Sequence, residues 1–228
     1  MFKVHHLKNS RSTRIIWLME ELGLEYELVV YDRDTATLRA SHALVRLHPL
    51  GKAPVLQTGD ALIAESGAII EYIIESVGEG RLAPSPGEAD RAKYLELLHV
   101  AEGSALFPIV VLLLGGMTGG LTEGFKGFVT PDLHKVLDYV SATLGSKDYL
   151  LPSGFSAADI QMSYVMEAAR MGDMLTGRET LQAYLARLEQ RPAHRRAIEK
   201  GGPVALTPEQ VADDRIATDS PGASQPAG

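Results

Sequence analysis

The chain has 228 residues, with 22 Lys and Arg against 29 Asp and Glu, a formal net charge of −7 and 45% hydrophobic residues. This is the composition of a globular protein with a sizeable core, and without a basic run that could grip phosphate backbones it argues against nucleic acid as a partner. It contains no cysteine, which excludes disulfides, thiolate metal sites and a cysteine nucleophile; any sulfur chemistry needs a ligand that brings the sulfur.

The first strand expected is "FKVHHL", after an N-terminus without the apolar core of a secretory signal. His5 and His6 are adjacent on it, face opposite sides and cannot easily share one metal, so no metal is expected. "SRSTRIIWLMEELG" reads as a helix, with Ile15, Met19 and Leu22 at helical spacing and Gly23 as its stop. "YELVVY" is a second strand, and residues 32 to 50 read as a loosely structured stretch. "APVLQTGDALIA" reads as two strands joined by the turn Thr58-Gly59-Asp60. "ESGAIIEYIIESVG" is a helix with Ile69, Ile70, Ile73, Ile74 and Val77 on a broad apolar face, closed by Gly78.

"GEGRLAPSPGE" has the composition of a linker, and every strong pattern after it is helical. A long helix is expected from Glu88 to Leu114, bent near Pro108. Its run Ala105 to Leu114 is too short to span a bilayer and carries a proline, so a cytoplasmic protein without a membrane partner is the expectation. "GGMTGGLTEG" reads as a flexible connection, and Thr130-Pro131 as a helix start, with threonine as N-cap and proline at the first helical position. Ser156 with Asp159 forms an acidic variant of the capping box ahead of the next helix. "ETLQAYLARLEQ" and "PAHRRAIEKG" close the helical part, and residues 206 to 228 read as a disordered tail. The division expected is 1–80, a linker at 81–88, a helical domain at 89–205, and the tail.

Four strings in order, "GKAPVL", "AESGAIIEYI", "FSAADI" and "RLEQRPAHRRA", resemble the cytosolic glutathione transferases over roughly residues 1 to 205. The resemblance implies an α/β thioredoxin-like N-terminal domain followed by an all-α C-terminal domain. It implies a cis bond before Pro54, with the backbone of Ala53 turned to pair with the cysteinyl part of glutathione as an added strand would. Glu65 and Ser66 are ordinary residues for a helix start: serine caps and glutamate complements the dipole. The resemblance assigns both to the γ-glutamyl end, Ser66 and the helix N–H groups to its carboxylate and Glu65 to its ammonium. Lys52 matches a position that contacts glutathione; Arg39, Arg46 and His48 are weaker candidates, and Arg39 and Arg46 read better as solvated surface charges.

Members of the family activate the thiol with a tyrosine, serine or cysteine near the end of the first strand. No tyrosine precedes Tyr26, and "KNSRSTR" remains. Ser10, four residues before Arg14, has a spacing that resembles the serine-type, bacterial-like enzymes; Ser12 and Asn9 are its rivals, and either serine could instead cap the first helix. A free thiol with a pKa near 8.5 is only a few per cent thiolate at neutral pH. Lowering that by about two units takes roughly 2.7 kcal/mol. One hydroxyl hydrogen bond to an anion, worth about 1.5–3 kcal/mol, with about 0.3–1 kcal/mol from the helix end, suffices without a general base. The electrophile would meet the long helix at Phe107, Val110, Val111 and Leu114, although the same spacing also describes plain core. A glutathione transferase acting on hydrophobic electrophiles, assembled as a homodimer and serving detoxification, is the leading reading. A glutathione-dependent reductase, peroxidase or isomerase is one alternative. A non-catalytic glutathione-binding or regulatory module is another.

Overall fold

The computed structural model describes residues 1–34, 39–40 and 42–204. The tail expected after residue 205 lies outside the described residues. Strand β1 (Phe2–Leu7) pairs in parallel with β2 (Tyr26–Tyr31) and antiparallel with β3 (Val55–Thr58), which pairs antiparallel with β4 (Ala61–Ala64). The sheet order is therefore β2-β1-β3-β4. Gly59, at a φ of 57°, opens the two-residue turn between β3 and β4 and accepts a backbone that costs other residues more. Helices α1 (Thr13–Leu22) and α3 (Ser66–Val77) complete a thioredoxin-like mixed sheet domain.

Helix α1 is buried almost all round: Ile15, Ile16, Trp17, Leu18 and Met19 are all within 1% of full burial. It packs against β1 and α3, and also against α7 (Ala157–Met171) and α9 (Pro192–Gly201) of the helical part. The junction has polar clasps. Trp17 donates to Glu21 and meets the edge of His194, while Glu21 accepts two hydrogen bonds from Arg191 at 2.6 and 3.0 Å. Gly23 takes the left-handed φ of 64° that ends α1.

The helical part differs from the periodicity reading in several places. The rod begins at Arg91 rather than Glu88, as α4 (Arg91–Val100), and passes through a π-helical turn (Ala101–Ala105) into α5 (Leu106–Met117). The expected bend near Pro108 is thus a register change just before it. Proline lacks the N–H and crowds the preceding turn, and the wide turn is where the ladder adjusts. The rod from Arg91 to Gly116 is long and apolar enough, by length and composition, to cross a membrane; here it packs against α6 and α7. The glycine-rich connection is shorter than expected, because α5 runs through Gly115 and Gly116. A Cβ on Gly115 would lie 2.4 Å from the Leu121 side chain, so the following chain can fold back only over glycine.

Helix α6 (Glu123–Leu144) starts eight residues before the proposed Thr130-Pro131 signal, with Thr122 capping it by accepting from Phe125 N–H, and Pro131 lies inside. Its first two turns are exposed, Phe125 and Phe128 included, and Gly124 and Gly127 there weaken the helical signal. The stretch from 32 to 50 holds a short helix, α2 (His42–Leu47), which buries only Leu44. Gly78 closes α3 in a right-handed conformation, with no need of glycine's left-handed freedom. The Ser156–Asp159 box is formed: Ser156 Oγ accepts from Ala158 N–H, and Asp159 accepts from Ser156 N–H. Buried Asp159 also accepts from Leu150 N–H and the Tyr184 hydroxyl, which joins α7 to α8 (Glu179–Glu189).

His6 is fully buried, with Nε2 2.7 Å from the Gly201 carbonyl at the end of α9 and Nδ1 2.7 Å from Ser12 Oγ. Burial is the main cause that lowers its pKa to about 4. The unfolded chain therefore takes up the proton first. Stability from a neutral His6 is complete above about pH 6.5 and is lost as pH falls toward 4, by about 3 kcal/mol in all. Urea denaturation of the wild type and His6→Gln across pH 7 to 4.5 should show a shallower fall for the variant; parallel curves would contradict this assignment.

Candidate active site

A cavity of about 740 Å³ opens at the C-terminal end of β1. Its lining brings together Ser10 from the β1–α1 loop, Lys52, Ala53 and Pro54 ahead of β3, and Glu65 and Ser66 at the start of α3. The Ala53–Pro54 peptide is cis. Arg39 also lines the cavity, whereas Arg46 and His48 are absent from its wall.

The three rivals for the thiol are separated by position. Ser10 is 5% exposed and reaches the cavity wall. Ser12 is fully buried at the first turn of α1, with its hydroxyl held by His6 rather than capping the helix. Asn9 is buried with a φ of 56°, and neither Asn9 nor Ser12 lines the cavity. Ser10 Oγ lies 2.7 Å from both the Leu7 carbonyl and Ser12 Oγ, and it accepts from Ser12 N–H at 3.2 Å.

Ser66 Oγ accepts from Arg14 Nη1 at 3.2 Å and from Gln161 Nε2 at 3.0 Å. With two donors already accepted, its own hydrogen is left to point into the cavity. Glu65 precedes it at the head of α3 with a φ of 71°, and both residues line the cavity.

Arg14, Gln161 and Glu102 were not among the site residues read from sequence. Arg14 is buried and pairs with Glu102 of the π-helical turn, which also accepts from Arg11 Nε at 3.0 and 3.2 Å. The Arg14 guanidinium lies 4.9 Å from the centre of the Tyr164 ring, and its Nε and Nη2 make no hydrogen bond within the described residues. Burial lowers the Arg14 pKa, yet a guanidinium keeps its proton, so a positive charge is fixed beneath Ser66. Burial disfavours the Glu102 charge as well, but Arg14 and Arg11 outweigh it and hold the carboxyl below its ordinary range. Arg11, Arg33, Asp34, His42 and Glu102 also line the cavity. For Arg14 the signal was a charge at the head of the apolar helix α1; Gln161 lies in a pattern that reads equally as plain core.

The four residues suggested for the electrophile take another place. Phe107 and Leu114 are 58% and 51% exposed, Val110 and Val111 are half-buried, and none of the four lines the cavity. They form a stripe on α5, beyond Glu102 on the same rod. Among the described residues no His, Asp or Glu cluster could hold a metal.

Glu102→Ala would leave Arg14 buried without its counter-charge. The expected loss is about 3 kcal/mol, the lower end for a severed buried pair because Glu102 keeps part of its surface in water. Urea denaturation measures it, and a loss below about 1 kcal/mol would show that solvent already screens Arg14.

The model of the glutathione S-transferase N-terminal domain matches residues 1–75. A glutathione S-transferase of Schizosaccharomyces pombe is 35% identical over 216 residues, covering 88% of each chain. One of Saccharomyces cerevisiae is 30% identical, covering 74% of this chain and 81% of its own. The crystal structure of a glutathione S-transferase from Actinobacillus pleuropneumoniae superposes with a TM-score of 0.84 at 30% identity, covering 92% of this chain and 99% of that one. Fold and sequence likeness over most of the length agree: the chain belongs to the glutathione S-transferase family of enzymes.

Proposed function

We propose that the cavity binds glutathione and stabilises its thiolate through Ser10, as a serine-type transferase of groups from hydrophobic electrophiles. The observation that carries this reading is the convergence of Ser10, Ala53 and the Glu65–Ser66 pair on one cavity. In it, residues 1–80 hold glutathione, 81–88 link, and 89–205 carry the electrophile.

The γ-glutamyl carboxylate meets the Ser66 hydroxyl and the first N–H groups of α3, over the buried charge of Arg14. Glu65 faces the ammonium. The cysteinyl backbone pairs with Ala53 in the manner of an added strand, and Lys52 answers the glycyl carboxylate. That arrangement directs the sulfur to Ser10 and the N-terminal end of α1. The thiolate attacks an electrophilic carbon, the leaving group departs with the bonding pair, and the thiol proton goes to solvent. Phe107, Val110, Val111 and Leu114, on the rod that carries Glu102 into the cavity wall, offer the apolar surface for the electrophile. A cytoplasmic homodimer acting in detoxification belongs to the same reading and rests on the family.

Ser10→Ala should raise the pKa of bound glutathione by about one to two units and lower kcat/KM at neutral pH about 10- to 100-fold. Glutathione affinity should stay within about threefold, since the contact strengthens only with the anion. Thiolate absorbance during a pH titration reads the first quantity; an unchanged pKa would remove Ser10 from the mechanism. Ser66→Ala should weaken glutathione binding about tenfold by calorimetry, and unaltered affinity would contradict its carboxylate role.

A further inference from the structure

The polar groups behind Ser10 form a directed chain that ends far from the cavity. The Gly201 carbonyl only accepts, so His6 Nε2, 2.7 Å away, must carry a hydrogen. The fit is close: a Cβ on Gly201 would lie 2.6 Å from Ile16 Cδ1 and 3.2 Å from His6 Nε2. His6 is fully buried, and the charged groups near it are the cations Lys8 and Arg33, which oppose a second proton. Its Nδ1 is therefore bare and must accept, and its one partner among the described residues is Ser12 Oγ at 2.7 Å. Ser12 spends its only hydrogen on His6. Its oxygen is then an acceptor for Leu7 N–H at 3.2 Å and for the Ser10 hydroxyl at 2.7 Å.

We infer that His6, acting through Ser12, is a positioning residue that turns the Ser10 hydrogen inward and presents a Ser10 lone pair to the cavity. The inference rests on Ser10 as the residue at the thiol. The inward acceptors for that hydrogen are Ser12 Oγ and the Leu7 carbonyl. A neutral thiol entering the site can thus donate S–H to Ser10. A thiolate is stabilised only after the Ser10 hydrogen leaves its inward acceptors and turns outward. His6 takes no proton in this process; it sets which way the hydroxyl must rotate.

Without His6 the Ser12 hydrogen can turn toward Ser10, and without the Ser12 hydroxyl that acceptor is gone; either way the Leu7 carbonyl is left as the inward acceptor that competes with the sulfur for the Ser10 hydrogen. His6→Leu and Ser12→Ala should each shift the thiol titration of bound glutathione to lower pH, with about threefold to tenfold more thiolate at a given pH below the midpoint. His6→Gln, whose amide can accept from Ser12 and donate to Gly201, should stay near the wild type. Affinity for S-methylglutathione, which has no thiol hydrogen, should change less than about twofold in all three. A merely structural role for His6 would weaken that binding without an acid shift. If His6→Leu does not fold, Ser12→Ala carries the test alone. An unshifted or raised thiol pKa in the folded variants overturns the inference, as does a His6→Gln shift as large as that of His6→Leu. Ser10→Ala separates the two claims. If it leaves the wild-type pKa unchanged, the assignment of Ser10 fails; if it moves the pKa and also abolishes the His6→Leu shift, both stand.

Discussion

The burial of one positive charge constrains the rest of the molecule. Arg14 points from α1 into a space closed by α3, the π-helical turn and α7. A guanidinium there is tolerable only with a carboxylate and aligned polar partners. Glu102 supplies the carboxylate, Ser66 accepts one N–H, and the Tyr164 ring covers the plane. Each partner comes from a different element, so the sheet domain and the helices can adopt only one mutual placement that satisfies the charge. Apolar packing around α1 supplies most of the adhesion, and the ion pair supplies the register.

The same charge prepares the cavity. An anion at the N-terminus of α3 meets helix N–H groups, the outward hydrogen of Ser66 and a fixed cation below. Ser66 can present its hydrogen only because Arg14 and Gln161 occupy its acceptor side. Groups already oriented before the ligand arrives need little reorganisation on binding. Helix α1 takes part at both ends of the proposed ligand. Arg14 on its buried face lies under the glutamyl end, and the loop before it carries Ser10 toward the sulfur.

Much of this was legible in the chain because local rules and tertiary structure agree. The alternation of β1 to β4, the apolar rows of α1 and α3, and the Ser156–Asp159 box are all patterns of a few residues. So are the strings around Lys52 to Pro54 and Glu65-Ser66, which resemblance ties to one ligand. What escaped reading depends on distance or exposure. Arg14 meets Glu102 across 88 positions, and His6 meets Gly201 across 195, with no local sign of either. Gln161 sits in a helix whose pattern is equally that of plain core. The start of α6 is hidden because its first turns face solvent and hold Gly124 and Gly127, and the π-helical turn because nothing in Ala101 to Ala105, AEGSA, separates it from an α-helical turn. The α5 stripe illustrates the opposite failure: its spacing is right for a helix face, but spacing cannot say which surface that face meets.

Glu65 carries a cost that reaches beyond the site. Its φ of 71° and ψ of 118° lie where a side chain is disfavoured and glycine, without a Cβ, is less so, a penalty of about 1–3 kcal/mol. Selection for thermal endurance alone would favour glycine at this position, relieving the backbone while deleting the carboxylate. On the role proposed for Glu65, stability and ligand recognition pull in opposite directions at one residue. A library screened only for resistance to heating would drift toward well-folded chains that had discarded half of the pair at the head of α3.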